Sequence, residues 1–360
     1  MKKLLVLFVV VMVGLVSCKK DEVVTPPAVP EFAITATANA NGSISPTGIT
    51  KVKQGDSVRY TITPNAGAVV DSVVVDGKSA GKVTTYTFKN VTAAHTIDAK
   101  FSSSYDNADA INGGMLYDKF WATETKYVNG SAEISHLNRF ADFYRCKQCH
   151  AWDLLGNTGS YINRAPKTSR PNVAGALLSF KIKTAMEVFT AIKTGTVTRR
   201  KISDSVGVTA YNPTSNKTVG DQMPDYSTLL TDAQIWDIVK FIKEGALDVT
   251  LLYDATYTGT YPTGSATYSN IGKDGIAATG KTFYTANCFS CHGSDGKSIP
   301  DLDHTPGLFV GKFVRTKPNE AQHKAKFGTL GSAMKSIPSI TLTNVKDLYK
   351  ALADTVAFPN

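Results

Sequence analysis

The chain has 360 residues, of which 42% are hydrophobic and 19% charged, with 28 Gly and 15 Pro. At about 150 residues per domain this gives room for two or three domains with sizeable cores, and the ordinary apolar content excludes a wholly disordered chain. The formal charge of +9 comes from 39 Lys and Arg against 30 Asp and Glu. Lys2 and Lys3 belong to a targeting segment, and the one dense basic run, Arg199-Arg200-Lys201, reads as a solvated turn. No nucleic-acid partner is expected, and the mild basicity favours an acidic partner without selecting one.

The one long apolar run, from Leu4 to Val16, is too short and too N-terminal to span a membrane, so an integral membrane protein is excluded. Met1-Lys2-Lys3 precedes it and Leu15-Val16-Ser17-Cys18 follows, so residues 1–17 read as a secretory signal. The segment resembles the lipobox of bacterial lipoproteins. That resemblance implies cleavage before Cys18, lipidation of its thiol and anchoring on a membrane, which several acyl chains hold far more firmly than one. Lys19-Lys20-Asp21-Glu22 is similar to an export signal of surface lipoproteins, which implies the outer membrane, facing the periplasm or the cell surface. Residues 18–31, with three prolines between Val23 and Pro30, read as a tether.

Residues 32–101 carry strand-like runs: Phe32 to Ala36, Val58 to Ile62, Ser72 to Val75 and Tyr86 to Phe88. Asn41-Gly42, Pro64-Asn65-Ala66-Gly67 and Asp76-Gly77 punctuate them as turns. This stretch resembles the small β-repeat modules of bacterial surface proteins (the internalin B-repeat type). The resemblance implies a spacer or binding role with no catalytic site.

There are five cysteines: Cys18, Cys146, Cys149, Cys288 and Cys291. Beyond Cys18 they form two pairs, each in a Cys-x-x-Cys-His run, ending at His150 and His292. This is the attachment signature of c-type haem. Two intervening residues let one turn of chain present both thiols to the vinyl groups of a porphyrin, and the following imidazole then lies under the iron. A zinc site is disfavoured by the 139-residue step from Cys149 to Cys288. Thioredoxin-like pairs need no following His, and a disulfide inside Cys-x-x-Cys is strained. Two covalently bound c-type haems are therefore expected, with His150 and His292 as axial ligands.

Each iron needs a second axial group or an open position. Met223 stands in Gln222-Met223-Pro224-Asp225, ahead of a capping box of Thr231 and Gln234. Ile235, Ile238, Val239 and Ile242 follow at helical spacing, with Gly245 as a stop. Met334 precedes Thr343 as candidate cap and then Val345, Leu348, Tyr349 and Leu352 at the same spacing. The step from Met to the first apolar residue is 12 residues in one segment and 11 in the other, so the same unit occurs twice.

The order Cys-x-x-Cys-His, Met-Pro and capped helix resembles class I cytochrome c over residues 105–248 and 270–356. Gly272 to Tyr284, leading to Cys288 and His292-Gly293, looks like that family's opening helix. The resemblance implies a small all-β N-terminal module followed by two mainly α domains, with 249–269 as a surface linker. It also implies Met223 and Met334 as distal ligands. Two departures stand out: Lys335 follows Met334 where the family has Pro, and 73 residues separate His150 from Met223 against 42 from His292 to Met334. The longer first insertion includes Gly156 to Pro171 and the polar stretch Lys201 to Gly220.

His304 and His323 are the rivals for the second iron. His323 lies in a helix expected to end at Gly328, with the imidazole at the surface or a haem edge. Met186 is expected in the core, and His95 and His136 are not expected to be ligands. Near the first pair, Gly113 to Trp121 reads as a short amphipathic helix, and Leu137, Phe140, Ala141 and Tyr144 form an apolar stripe. Trp121, Tyr144 and Trp152 are expected to pack around the porphyrin.

The functional expectation is electron transfer by a lipid-anchored di-haem cytochrome, between redox partner proteins. Two alternatives stay open. One is a di-haem oxidoreductase, peroxidase-like or acting on sulfur compounds, with catalysis at the second haem. The other is a surface binding protein with attached haem domains.

Overall fold

The computed structural model describes residues 28–123, 132–165, 175, 181–194, 223–300, 307–330 and 332–360. The chain divides into two compact units, residues 1–63 with 70–100 and residues 64–69 with 101–360. Among the described residues no helix is long and apolar enough to cross a membrane. The expected signal segment, Cys18, Arg199-Arg200-Lys201, the stretch from Lys201 to Gly220 and His304 lie outside the described residues.

The N-terminal region is built of strands β1 (Glu31–Ala38), β2 (Gly42–Ser45), β3 (Gly48–Lys53), β4 (Val58–Pro64), β5 (Ala68–Val75), β6 (Lys78–Gly81), β7 (Thr85–Phe88) and β8 (His95–Ser103). They form a five-stranded sheet in the order β3-β1-β8-β5-β6 and a three-stranded sheet β2-β4-β7. β1 pairs antiparallel with β3 and parallel with β8, setting Ile34 opposite Thr50 and His95. Alternation decides what is inside: Ile34 and Ala36 of β1, Tyr60 and Ile62 of β4, and Ile97 and Ala99 of β8 are buried between exposed or half-buried neighbours. His95 is held at the surface by Asp76, its Nδ1 2.7 Å from Oδ2.

The rest of the chain is mainly helical: α1 (Ala110–Lys119), α2 (Ala132–Arg139), α3 (Ala141–Tyr144), α4 (Cys146–His150), α5 (Ala185–Lys193) and α6 (Asp232–Lys240) make up the first segment. The second has α7 (Ala277–Asn287), α8 (Phe289–His292), α9 (Val310–Thr316), α10 (Pro318–Phe327) and α11 (Leu342–Leu352). Side-chain caps set where the longer helices begin. Thr184 and Glu187 box the start of α5, and Thr231 and Gln234 that of α6. For α11 the cap is Thr341, boxed with Asn344, rather than the expected Thr343, which lies inside the first turn. Asp109 caps α1, which starts at Ala110, three residues before the expected Gly113. Gly245 does not stop α6 cleanly, because the chain widens into a π-turn over Phe241–Gly245.

Two apolar cores result. The first gathers Leu116, Tyr117, Trp121, Leu137, Tyr144, Ile235 and Val239, and the second Tyr284, Phe313, Val345, Leu348 and Tyr349. Phe358 belongs to the second core, so that core runs past the expected boundary at 356. The stretch 249–269 is not a plain surface linker. It folds into a hairpin of β9 (Asp254–Thr258) and β10 (Ser265–Ser269), with Tyr257 opposite Ala266 and Tyr268 opposite Ala255. Tyr261, in its turn, packs against Ala151, Trp152 and Tyr161. Thr and Tyr alternate along these strands, with Tyr257 and Tyr268 half-buried between exposed neighbours, the pattern of a hairpin with one face turned inward.

Candidate functional site

Both Cys-x-x-Cys-His runs fold as a single helical turn. Cys146–His150 is α4, and in the second run Phe289–His292 is α8 with Cys288 as its N-cap. A turn of helix places residues three and four apart on one face, which is what lets two thiols and an imidazole address one planar group. None of the four cysteines is in a disulfide. Cys146 packs against the first core and Cys288 against the second, so the two pairs adjoin different cores and not one shared centre. Burial pushes both the Cys146 and Cys288 thiols up to about 11. His292 is also held below its ordinary pKa by burial, and its Nδ1 finds no hydrogen-bond partner. Neutral imidazole is the form that ligates iron.

The chain reverses after each histidine. Ala151 has φ +62° and Gly293 φ +79°, the left-handed region, and a Cβ on Gly293 would meet Ser298 Oγ at 2.3 Å. In both segments a tyrosine of the opening helix secures this reversal. Tyr117 Oη donates to Ala151 O at 2.6 Å, and Tyr284 Oη to Gly293 O at 2.8 Å.

The opening and closing helices of each segment cross at a glycine. A Cβ on Gly113 would lie 1.9 Å from Asp237 O of α6, and one on Gly280 would lie 1.8 Å from Asp347 O of α11. The same two aspartates tie the helices together. Asp237 Oδ1 accepts from Asp109 N and Asp347 Oδ1 accepts from Ile276 N, both at 2.7 Å. The spacing of these residues repeats between the two segments. Gly113 and Tyr117 are four apart, as are Gly280 and Tyr284; Thr231 and Asp237 are six apart, as are Thr341 and Asp347.

Met223 is half-buried and packs on the first core, as Cys146 also does. Three residues on, Tyr226 Oη donates to Tyr144 O at 3.0 Å and accepts from Cys146 Sγ at 3.6 Å, which ties the Met223 loop to the first cysteine. Met334 is 37% exposed, with Thr329 Oγ1 donating to its sulfur at 3.6 Å and Thr329 N donating to its carbonyl at 3.0 Å. Phe289 and Ile299 of the same segment are also exposed. Trp121, Tyr144 and Trp152 are buried, and Met186 is partly buried on the first core.

Polar groups brace the first attachment turn. Arg145 donates from Nε to Asp118 O at 2.7 Å and pairs with the Asp118 carboxylate. Burial pushes that carboxyl up, but Arg145 and Lys147 prevail and hold it below the usual range. Burial brings Lys147 down to about 7, and its Nζ lies 4.3 Å from the centre of the Trp152 ring. Asp153 accepts from Leu155 N and Ser160 N and so orders the loop that leaves His150.

His323 departs from expectation. Its helix does end at Gly328, with φ +76°, but the imidazole is 1% exposed instead of lying at a surface or edge. It sits among Trp152, Tyr117, Phe241 and Phe327, with ring centres 4.4, 6.2, 5.6 and 4.5 Å away.

A family model described as cytochrome c matches residues 139–246 and 277–350, together a little over half of the 360 residues. Searches of the curated proteins and of the solved structures each return no match.

Proposed function

The chain belongs to the cytochrome c family, and from that premise we propose that it is a lipid-anchored electron carrier with two covalently bound c-type haems. Cys146, Cys149 and His150 would hold one, and Cys288, Cys291 and His292 the other, with Met223 and Met334 as the distal ligands. The observation that carries this reading is the repetition of one arrangement in two cores: an attachment turn, a tyrosine-secured reversal and a glycine-crossed helix pair.

A bound c-type haem supplies a one-electron ferric/ferrous couple. The chain's own contribution is to hold, orient and shield. The paired cysteines anchor, and the buried cores exclude water and so limit the reorganisation that accompanies a change of charge. Thioether ligation favours the ferrous state and raises the potential relative to bis-histidine. Met223 and Met334, as ligands, would also deny small molecules access to the iron. Residues 32–101 are proposed as a spacer that lifts the cytochrome segments from a membrane to which lipidated Cys18 is attached, with redox proteins as partners.

The exposure of Met334 favours one second reading, catalysis at the second haem, since a surface-borne sulfur is easier to displace than a buried one. Spectra of the mature protein decide between them. Two haems per chain and a far-red sulfur-to-iron band are expected in the oxidised state, and the band should diminish stepwise in Met223→Ala and Met334→Ala. A high-spin signal from the unsubstituted protein overturns the carrier reading in favour of the enzyme. Cys18→Ser should release the protein from the membrane fraction.

A further inference from the structure

Helix α10 lies between His292 and Met334 in the chain, so it belongs to the second segment, yet it serves both cores. Phe327 is part of the first core, and Ala321 of the second. His323 and Phe327, one turn apart, point the same way, the first onto Trp152 and the second over Gly114, where a Cβ would lie 2.4 Å from the Phe327 ring. Gln322, itself 2% exposed, donates from Nε2 to Trp152 O at 3.2 Å, and Lys326 Nζ donates to Gly245 O at 3.0 Å. On the other side Tyr349 Oη of α11 donates to Pro318 O. The helix then ends at Gly328, and Thr329 N donates to Met334 O at 3.0 Å.

We infer that α10 is the bridge along which an electron passes between the two haems. This rests on the reading that His150 and Met334 ligate separate irons. The route runs from His150 along the main chain to Trp152, and crosses to Gln322 through the Nε2–O hydrogen bond, reinforced by the contact of the His323 and Trp152 rings. It then follows α10 to Thr329 and reaches Met334 through the Thr329 N–H. Tunnelling falls off faster across empty gaps than along covalent and hydrogen bonds, and every step here is one or the other. The step moves one electron from the reduced to the oxidised iron, with no bond made or broken and no proton transferred. Since α10 is packed on both sides, neither segment has to swing toward the other.

The test uses the full holoprotein and Gln322→Leu, with Gln322→Met as the second variant because it keeps the side-chain length while removing the amide that donates to Trp152 O. Haem content per chain is measured first. The rate of electron exchange between the haems is then followed after photoreduction, and hydrogen exchange of the α10 amides reports docking independently. The expected result is two haems, unchanged spectra, unchanged protection of α10 and exchange slowed by about tenfold. An unchanged rate overturns the route. Slowing that accompanies loss of α10 protection also overturns it, because docking alone would then set the rate. A single haem per chain sinks the functional reading itself, whereas two haems with an unaltered rate sink only the bridge.

Discussion

Among single side chains, His323 shows how far burial can move an ionisable group. Enclosed by four aromatic rings and Asp118 and Lys147 beyond, it is pushed down to about 3 from an ordinary 6.5, with desolvation as the dominant cause. Its folded pKa lies below its unfolded one, so the unfolded chain takes up a proton that the folded chain refuses. The stability this group permits is complete above pH 6.5 and is lost as pH falls toward about 3, at up to about 1.4 kcal/mol per pH unit. Urea unfolding at a series of pH values should show this slope, and His323→Phe, which keeps the ring and loses the titration, should remove that part of it. An equal slope in the variant would mean that the imidazole is not enclosed. Gln322 is likewise a buried polar side chain. Its Nε2 donates to both Trp152 O and Asn319 O, while its buried Oε1 finds no partner.

The helices α1 with α6, and α7 with α11, are placed by small residues as much as by apolar ones. Gly280 lets α7 approach the α11 backbone more closely than any side chain would allow, and Asp347 then reaches Ile276 N. Gly280→Ala would drive a methyl group into a carbonyl that cannot rotate away. The expected cost is on the order of 3 kcal/mol, the upper end for overpacking, measured by chemical denaturation. Substitution by Ala at the fully open Gly77 is no fair control, since its φ of +77° adds strain of its own. Apolar spacing made α6 and α11 legible from the residues alone, as did Thr231 with Gln234. The α11 cap was displaced by two residues, because Thr341 and Thr343 are equally good caps in isolation. The apolar Ile340, buried in the second core, sets which of them starts the helix.

At the scale of the whole chain, the two cytochrome segments share an element. Phe327 is contributed by one segment and buried in the core of the other, where it meets Phe241 at 5.2 Å between ring centres. Phe327→Ala should therefore destabilise the first segment by about 3–5 kcal/mol, although the residue lies some 80 positions beyond its end. Hydrogen exchange should show protection lost in α1 and α6 as well as in α10. Loss confined to α10 would mean that the segments fold independently.

The chain's own order of residues settled what is local and chemical: two Cys-x-x-Cys-His turns, a β-rich beginning, helices with their period, and the membership of one unit repeated twice. These depend on neighbours within a turn or two, and covalent spacing or hydrophobic period records them directly. The burial of His323, the sharing of α10, the packing of the hairpin onto Trp152 and the pairing of Asp237 and Asp347 with distant helix starts were decided by the tertiary structure. A histidine on a polar helix, with Lys324 and Lys326 beside it, has the same local pattern whether it faces water or a second core. Which of these holds depends on surfaces contributed by residues a hundred or more positions away, and no local periodicity encodes them.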